Sequence, residues 1–289
     1  MNRFPSPSQR RRNVPFFAAP LAAFAALLIV ASAQGHEVWI EVPATGQVGQ
    51  QHEIQVCWGH SLHREGGESL KSQQGRLTAW WVVADSPRQQ LSLTPKSDHF
   101  AASFAPTAEG ICQIVAQSQV GILDREFHGI PAKTRIIMAG KSLVRVGKAC
   151  GEQKIASAMD LDLTPLAAID GLRPGSVFAA KVTFKQKPVG GPSVVATLST
   201  LGNTPFPKDS EVEGIAWSVK NTSHPTSGEV RFPLIVPGRH ILNVRYTDET
   251  PGQYDGDLNF ETKFSRLRKG DTYERTLHVA TLTFDVPGQ

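Results

Sequence analysis

The chain has 289 residues, 30 of them basic and 26 acidic, with 40% hydrophobic residues and only three cysteines. That composition suits a folded protein with a sizeable core, and it excludes a disulfide-dense scaffold or a low-complexity chain. Residues 1–35 hold four arginines and no acid, so the remainder carries 26 charges of each sign. With that balance no sustained basic patch argues for nucleic acid, and Lys263, Arg266, Arg268 and Lys269 read as a solvated loop.

The basic head (Arg3, Arg10, Arg11, Arg12) is followed by an apolar stretch from Val14 to Val30, broken by Pro15 and Pro20, and then by the small-residue exit "ASAQG". This order predicts a secretory signal peptide over residues 1–35. The apolar stretch is short and proline-interrupted for a membrane span, so no stable span is expected after cleavage. Cutting after Ala33 or after Gly35 satisfies the small-residue rule, and the strand pattern that starts at His36 favours the second. His36 would then carry a free α-amine, with an ordinary pKa of about 7.7–8.0, beside its imidazole. Such a pair makes a metal chelate.

Beyond residue 35 the chain reads as all-β. "HEVWIEV", "HEIQVCW", "RLTAWWVVA", "HFAASFA", "GICQIVAQ" and "TRIIMAG" are short runs rich in branched and aromatic residues, punctuated by Gly, Pro, Ser and Asp. In "EIQVCW", Ile54, Val56 and Trp58 share one face of a half-buried strand. Cys57 and Cys112 lie in two such runs, which suits a bridge between the sheets of a sandwich, leaving Cys150 unpaired. A boundary near residue 150 divides a domain over 36–149 from a second over 150–289. In the second, Pro174-Gly175 makes a turn, Phe178, Ala180, Val182 and Phe184 alternate inward, and Gly190-Gly191 marks another turn. Glu249 to Asp271 reads as a long loop. Pro165 argues against a continuous helix in "QKIASAMDLDLTPLAAI".

No Gly-x-Ser-x-Gly elbow, glycine-rich strand-to-helix loop, CxxC pair or HExxH is present, which removes the usual hydrolase, nucleotide and zinc patterns. Histidine is the informative residue. His60 and His63, in "CWGHSLHREGGE", stand at the exit of a strand on a glycine-punctuated loop, and His128 lies in "DREFHGIP". Neutral imidazole suits nickel, cobalt, copper and zinc. The metal-ligand candidates are therefore His36, His60, His63 and His128. His52 and His99 read as surface strand residues, His224 as a turn residue, and His240 and His278 as near-core histidines.

The opening "HEVWIEV", the segment "GHSLHREGGE", the turn-and-hairpin stretch "DGLRPGSVFAAKVTFKQKPVGGPSVVATL" and the closing "PGRHILNVRYTDE" and "ATLTFDV" together resemble the NikM-type family of exported proteins linked to nickel and cobalt uptake. The resemblance implies two immunoglobulin-like β-sandwich domains and transition-metal handling, and it carries over His36 and His60 as ligands. Members of that family often have an aromatic residue where His240 stands and a histidine where Tyr246 stands, so no second-domain ligand is carried over. His63 and His128 rest on local chemistry alone.

The leading expectation is thus a binding protein, not an enzyme. It would capture a divalent transition metal, nickel or cobalt first and copper or zinc next, for a membrane uptake transporter. One alternative is a copper enzyme attacking polysaccharide through a terminal-histidine brace, with Trp80-Trp81 as a binding face. Another is a structural or adhesion module that needs no metal.

Overall fold

The computed structural model describes residues 36–60, 62–83, 86–148, 159–201 and 215–288. The expected signal, its cleavage point and Cys150 lie outside them. The described residues fall within one compact unit, nearly all β.

The principal elements run β1 (Glu37–Glu41), β2 (His52–His60), β3 (His63–Arg64), the short helix α1 (Gly67–Lys71), β4 (Leu77–Val83), β5 (Phe100–Phe104), β6 (Gly110–Leu123) and β7 (Thr134–Val146). They continue as β8 (Leu161–Pro165), β9 (Val177–Phe184), β10 (Val195–Leu201), β11 (Ile215–Thr222), β12 (Glu229–Pro233), β13 (Gly238–Asp248), β14 (Ser265–Leu267) and β15 (Arg275–Val286).

Three layers result. An eleven-stranded sheet includes the run β11-β10-β13-β15-β7-β6-β14, with β4 also paired to β6 and short strands completing it. One smaller sheet contains β1, β2, β3 and β5, and another contains β8, β9 and β12. Alternation along the central strands shows how the layers stack. On β7 and β15, Met138, Val144, Leu277 and Val279 join a core with Val38, Ile54, Val56 and Phe100 of the first small sheet. Their neighbours Ala139, Leu143, Ala280, Leu282 and Phe284 join another core with Leu163, Phe178, Val182 and Phe232 of the second. Strands buried on both faces read as continuous apolar runs, as "RIIMAG" and "HVATLTF" do.

This arrangement bears on the boundary expected near residue 150. Strands from either side of it are hydrogen-bonded neighbours: β7 pairs parallel with β15 from Thr134↔Arg275 to Ser142↔Thr283. The segments over 36–149 and 150–289 therefore share a sheet, and Trp80 and Val115 of the first contribute to the core of the second.

Two expectations are corrected. Cys57 and Cys112 are buried free thiols. Cys57 lies with Trp39, Leu62 and Ile241, whereas Cys112 points into the core between the first small sheet and the central one. Strand alternation sends them to different places, so no bridge forms. Residues 249–271, expected as a loop, contain short strands: Gly252–Gln253 pairs with Thr272–Tyr273, and β14 adds to the end of β6 through Ser265↔Leu123.

Candidate metal site

The site grows from one hairpin. β1 runs antiparallel to β2 with Glu37↔Gly59 and Val38↔Trp58, so one step further His36 comes opposite His60. β2 then turns back into β3 with His60↔His63 and Gly59↔Arg64, and the Glu65 N–H donates to the Trp58 carbonyl at 2.8 Å. Alternation thus places Trp58, His60, His36 and Glu65 on one face at the end of the small sheet.

Two residues make so tight a turn feasible. A Cβ at Gly59 would lie 2.0 Å from the His63 carbonyl oxygen, so only glycine permits this approach. Leu62 holds φ at +71°, a left-handed conformation that costs a branched side chain about 1–2 kcal/mol. Its side chain is buried with Trp39, Cys57 and Ile241, and such burial contributes about 1.5–3 kcal/mol, which offsets the strain.

The donor atoms of His36, His60 and Glu65 lie within 4.8 Å of one another. His36 Nε2 stands 2.9 Å from Glu65 Oε2, and His60 Nε2 stands 3.2 Å from Oε1. The two imidazole rings are 4.4 Å apart between centroids. Side-chain exposures of 36%, 35% and 25% leave the cluster open to solvent while removing much of its hydration. Behind it, Trp58 stacks on His36 at 5.0 Å. The Trp58 Nε1–H donates to Ser69 Oγ at 3.2 Å, and Ser69 Oγ–H donates to Glu65 Oε2 at 2.5 Å.

The electrostatics suit a cation. Burial lowers the His36 pKa; the Glu65 hydrogen bond and charge oppose this, and the charges of His60 and His128 add to it. His36 is accordingly neutral, with a lone pair to offer, at ordinary pH. For Glu65, burial pushes the pKa up, but the Ser69 and His36 hydrogen bonds and the two imidazole charges outweigh it and the net shift is downward. Two imidazole nitrogens and one carboxylate oxygen form a donor set fitted to a divalent ion of intermediate softness.

Of the four expected ligands, the structure brings His36 and His60 together. His63 faces His60 across the hairpin register but is exposed and does not join the three-atom group. His128 sits on the β6–β7 connection at φ +50°, edge-on to Phe127 at 4.1 Å, near enough for its charge to disfavour protonation of His36. Glu65 was missing from the expected set. Its only signal was its place in "HREGGE", five residues beyond His60 across a tight turn.

The hairpin is tethered from its other face. Arg64 Nη2 pairs with Glu41 Oε2 at 2.7 Å and donates to Gln55 Oε1 at 2.6 Å, while Nη1 reaches Asp98 at 3.3 Å. Glu41 also pairs with Arg239, which in turn grips Asp285 at 2.9 Å. Burial, with the Glu41 charge adding to it, pushes the nearby Cys57 thiol well above its ordinary pKa, so it offers no thiolate to an ion. Trp80 and Trp81 are buried on opposite faces of β4, in the two cores, and supply no aromatic binding face.

Elsewhere the histidines are structural. His240 and His278 are buried, as expected, and His224 accepts hydrogen bonds from the Thr226 and Ser227 N–H groups in its turn. His52, expected at the surface, is buried against Phe104.

A family model described as "Domain of unknown function (DUF4198)" matches residues 33–248. No curated protein matches the chain.

Proposed function

The chain belongs to the DUF4198 family, and from the site it carries we propose that it is an exported protein that captures a divalent transition metal, nickel or cobalt first, for an uptake system. The observation that carries this reading is the convergence of His36, His60 and Glu65 within 4.8 Å. Such a set holds an ion through two imidazole Nε2 atoms and a carboxylate oxygen and leaves further coordination positions to water or an incoming ligand. An open, solvent-facing ion suits a carrier that must release its cargo. The resemblance to NikM-type proteins supports nickel and cobalt over zinc and copper, with a membrane transporter as recipient. The basic-then-apolar start of the sequence supports export. Among the described residues no helix is long and apolar enough to cross a membrane.

Calorimetry with nickel, cobalt, zinc and copper salts on the purified protein tests the reading. Binding at least in the micromolar range is expected, with a loss of tenfold or more in His60→Ala and in Glu65→Gln. No binding tighter than millimolar would overturn it and leave a structural or adhesion module in its place.

A further inference from the structure

We propose that Ser69 is the positioning residue of this site: held by Trp58, it keeps Glu65 aimed at the ion, so that the site takes a divalent cation of borderline hardness through a nitrogen–nitrogen–oxygen set. The inference rests on the metal-binding reading above and adds to it a residue and a class of ion.

Hydrogen-bond direction carries the argument. An indole N–H can only donate, so at 3.2 Å the Ser69 oxygen must be its acceptor. Ser69 has a single proton, and it is thereby committed to Glu65 Oε2 at 2.5 Å. An ionised carboxylate only accepts, so His36 meets Glu65 Oε2 as an Nε2–H donor, while His60 Nε2 lies 3.2 Å from Oε1. The His36 nitrogen cannot donate to Glu65 and coordinate an ion at once. When His36 turns its lone pair to a cation, the carboxylate loses that hydrogen bond and keeps the one from Ser69. A ligating carboxylate held by an outer hydrogen bond stays oriented and anionic.

Ser69 is itself well placed to do this. It lies on α1, and the next residue, Leu70, is buried in the core shared by the first small sheet and the central sheet. Trp58, which directs the Ser69 proton, also stacks on His36 with only 16° between the rings. One tryptophan thus backs both an imidazole ligand and, through Ser69, the carboxylate ligand. A fixed carboxylate beside two imidazoles favours nickel(II), cobalt(II) or zinc(II) over copper(I), which prefers sulfur donors.

The experiment uses the protein purified as its host makes it, stripped of metal with a chelator and titrated with cobalt(II) chloride. Cobalt binding is followed by calorimetry and by visible absorption, and unfolding of the metal-free form is followed by heat. Ser69→Ala is expected to bind cobalt about 10–100-fold more weakly, the usual range for loss of an outer-shell partner, and to show a changed visible spectrum. Ser69→Thr, which keeps the hydroxyl, is expected to restore both. Should Ser69→Ala bind as tightly as the parent with the same spectrum, or Ser69→Thr fail to restore a loss, the role of Ser69 is wrong while the metal site stands. Should the parent protein take no cobalt, the metal-binding reading itself has failed. A lower melting temperature in metal-free Ser69→Ala does not blur these outcomes, because the cobalt spectrum and the threonine variant report on the ligand sphere and not on overall stability.

Discussion

The two faces of the central sheet each carry a pairing of acid and base, and the two pairings do opposite things. Between β7 and β8 the Lys141 ammonium donates to Asp162, both at 0% side-chain exposure, and Asp162 also accepts from the Leu163 N–H at 2.7 Å. At the end of the other small sheet, Glu65 meets His36 and His60 with all three side chains a quarter to a third exposed. A sealed pair is fixed by its surroundings and can exchange with nothing. An open cluster, reachable from solvent, can exchange its contacts for a cation. Burial, more than residue type, separates a structural ion pair from a site.

The largest break comes from cutting the chain where the sequence placed a domain boundary. A fragment of residues 150–289 loses β7, the parallel neighbour of β15, and with it Trp80, Val115, Ala139 and Leu143 from the core against β9. The expected result is an undispersed amide spectrum. A dispersed, cooperatively melting fragment would show that the second small sheet and its half of the central sheet are self-sufficient.

Next in size is the sealed pair. Lys141→Met leaves the Asp162 charge buried without its counter-charge, which costs about 3–5 kcal/mol by urea unfolding. The double variant Lys141→Met, Asp162→Leu should recover most of that loss. At the open site, Glu65→Gln should cost the metal-free protein less than about 1 kcal/mol, because exposed pairs contribute little to stability. Equal costs at the two positions would remove the distinction drawn from burial.

His278 lies on the sealed face, edge-on to Phe184 at 4.9 Å, and gives a pH-dependent test. Burial lowers its pKa to about 4, against the pull of the Asp160 and Asp248 charges. The unfolded chain takes up this proton below about 6.5, whereas the folded chain resists until about 4. Between those values the unfolded state binds more protons, so the stabilisation is full above about 6.5 and is lost as pH falls through the window. The loss is on the order of 3 kcal/mol by linkage. His278→Gln should flatten the stability profile between pH 6.5 and 4 relative to the parent; an unchanged slope would place the acid sensitivity elsewhere.

Much of this was legible in the sequence, because local alternation decides it. Ile54, Val56 and Trp58 do share a buried face, and Phe178, Ala180, Val182 and Phe184 do point inward. His36 and His60 were recoverable because both sit in strand register at an obvious turn. Glu65 was not, since its position depends on how tightly the hairpin closes, which depends in turn on Gly59 and on a leucine accepting φ +71°. The shared sheet was hidden for a different reason: parallel pairing of β7 with β15 joins segments far apart in sequence, and each reads alike whether its neighbour is near or distant. The free thiols at Cys57 and Cys112 follow from the same limit, because strand parity alone does not say which layer covers which face.

The smallest expected effect separates two ways in which His36 can serve. Its α-amine, once freed by cleavage after Gly35, can close a chelate ring only with Nδ1; Nε2 lies on the far side of the imidazole from its own backbone. In the structure it is Nε2 that faces Glu65 at 2.9 Å, with the ring plane set by stacking on Trp58. An ion bound between His36, His60 and Glu65 in this arrangement makes no use of the amine. Inserting one glycine before His36 in the processed protein should therefore weaken nickel binding by less than about twofold, under 0.5 kcal/mol. A terminal chelate, or a copper brace built on the same amine, predicts a loss of tenfold or more, about 1.4 kcal/mol. Mass spectrometry of the exported chain must first show that it begins at His36. Calorimetry of the extended and unextended forms then decides, for a tenfold loss would mean that the ring turns over on binding, giving up its contact with Glu65 to bring Nδ1 and the amine to the metal.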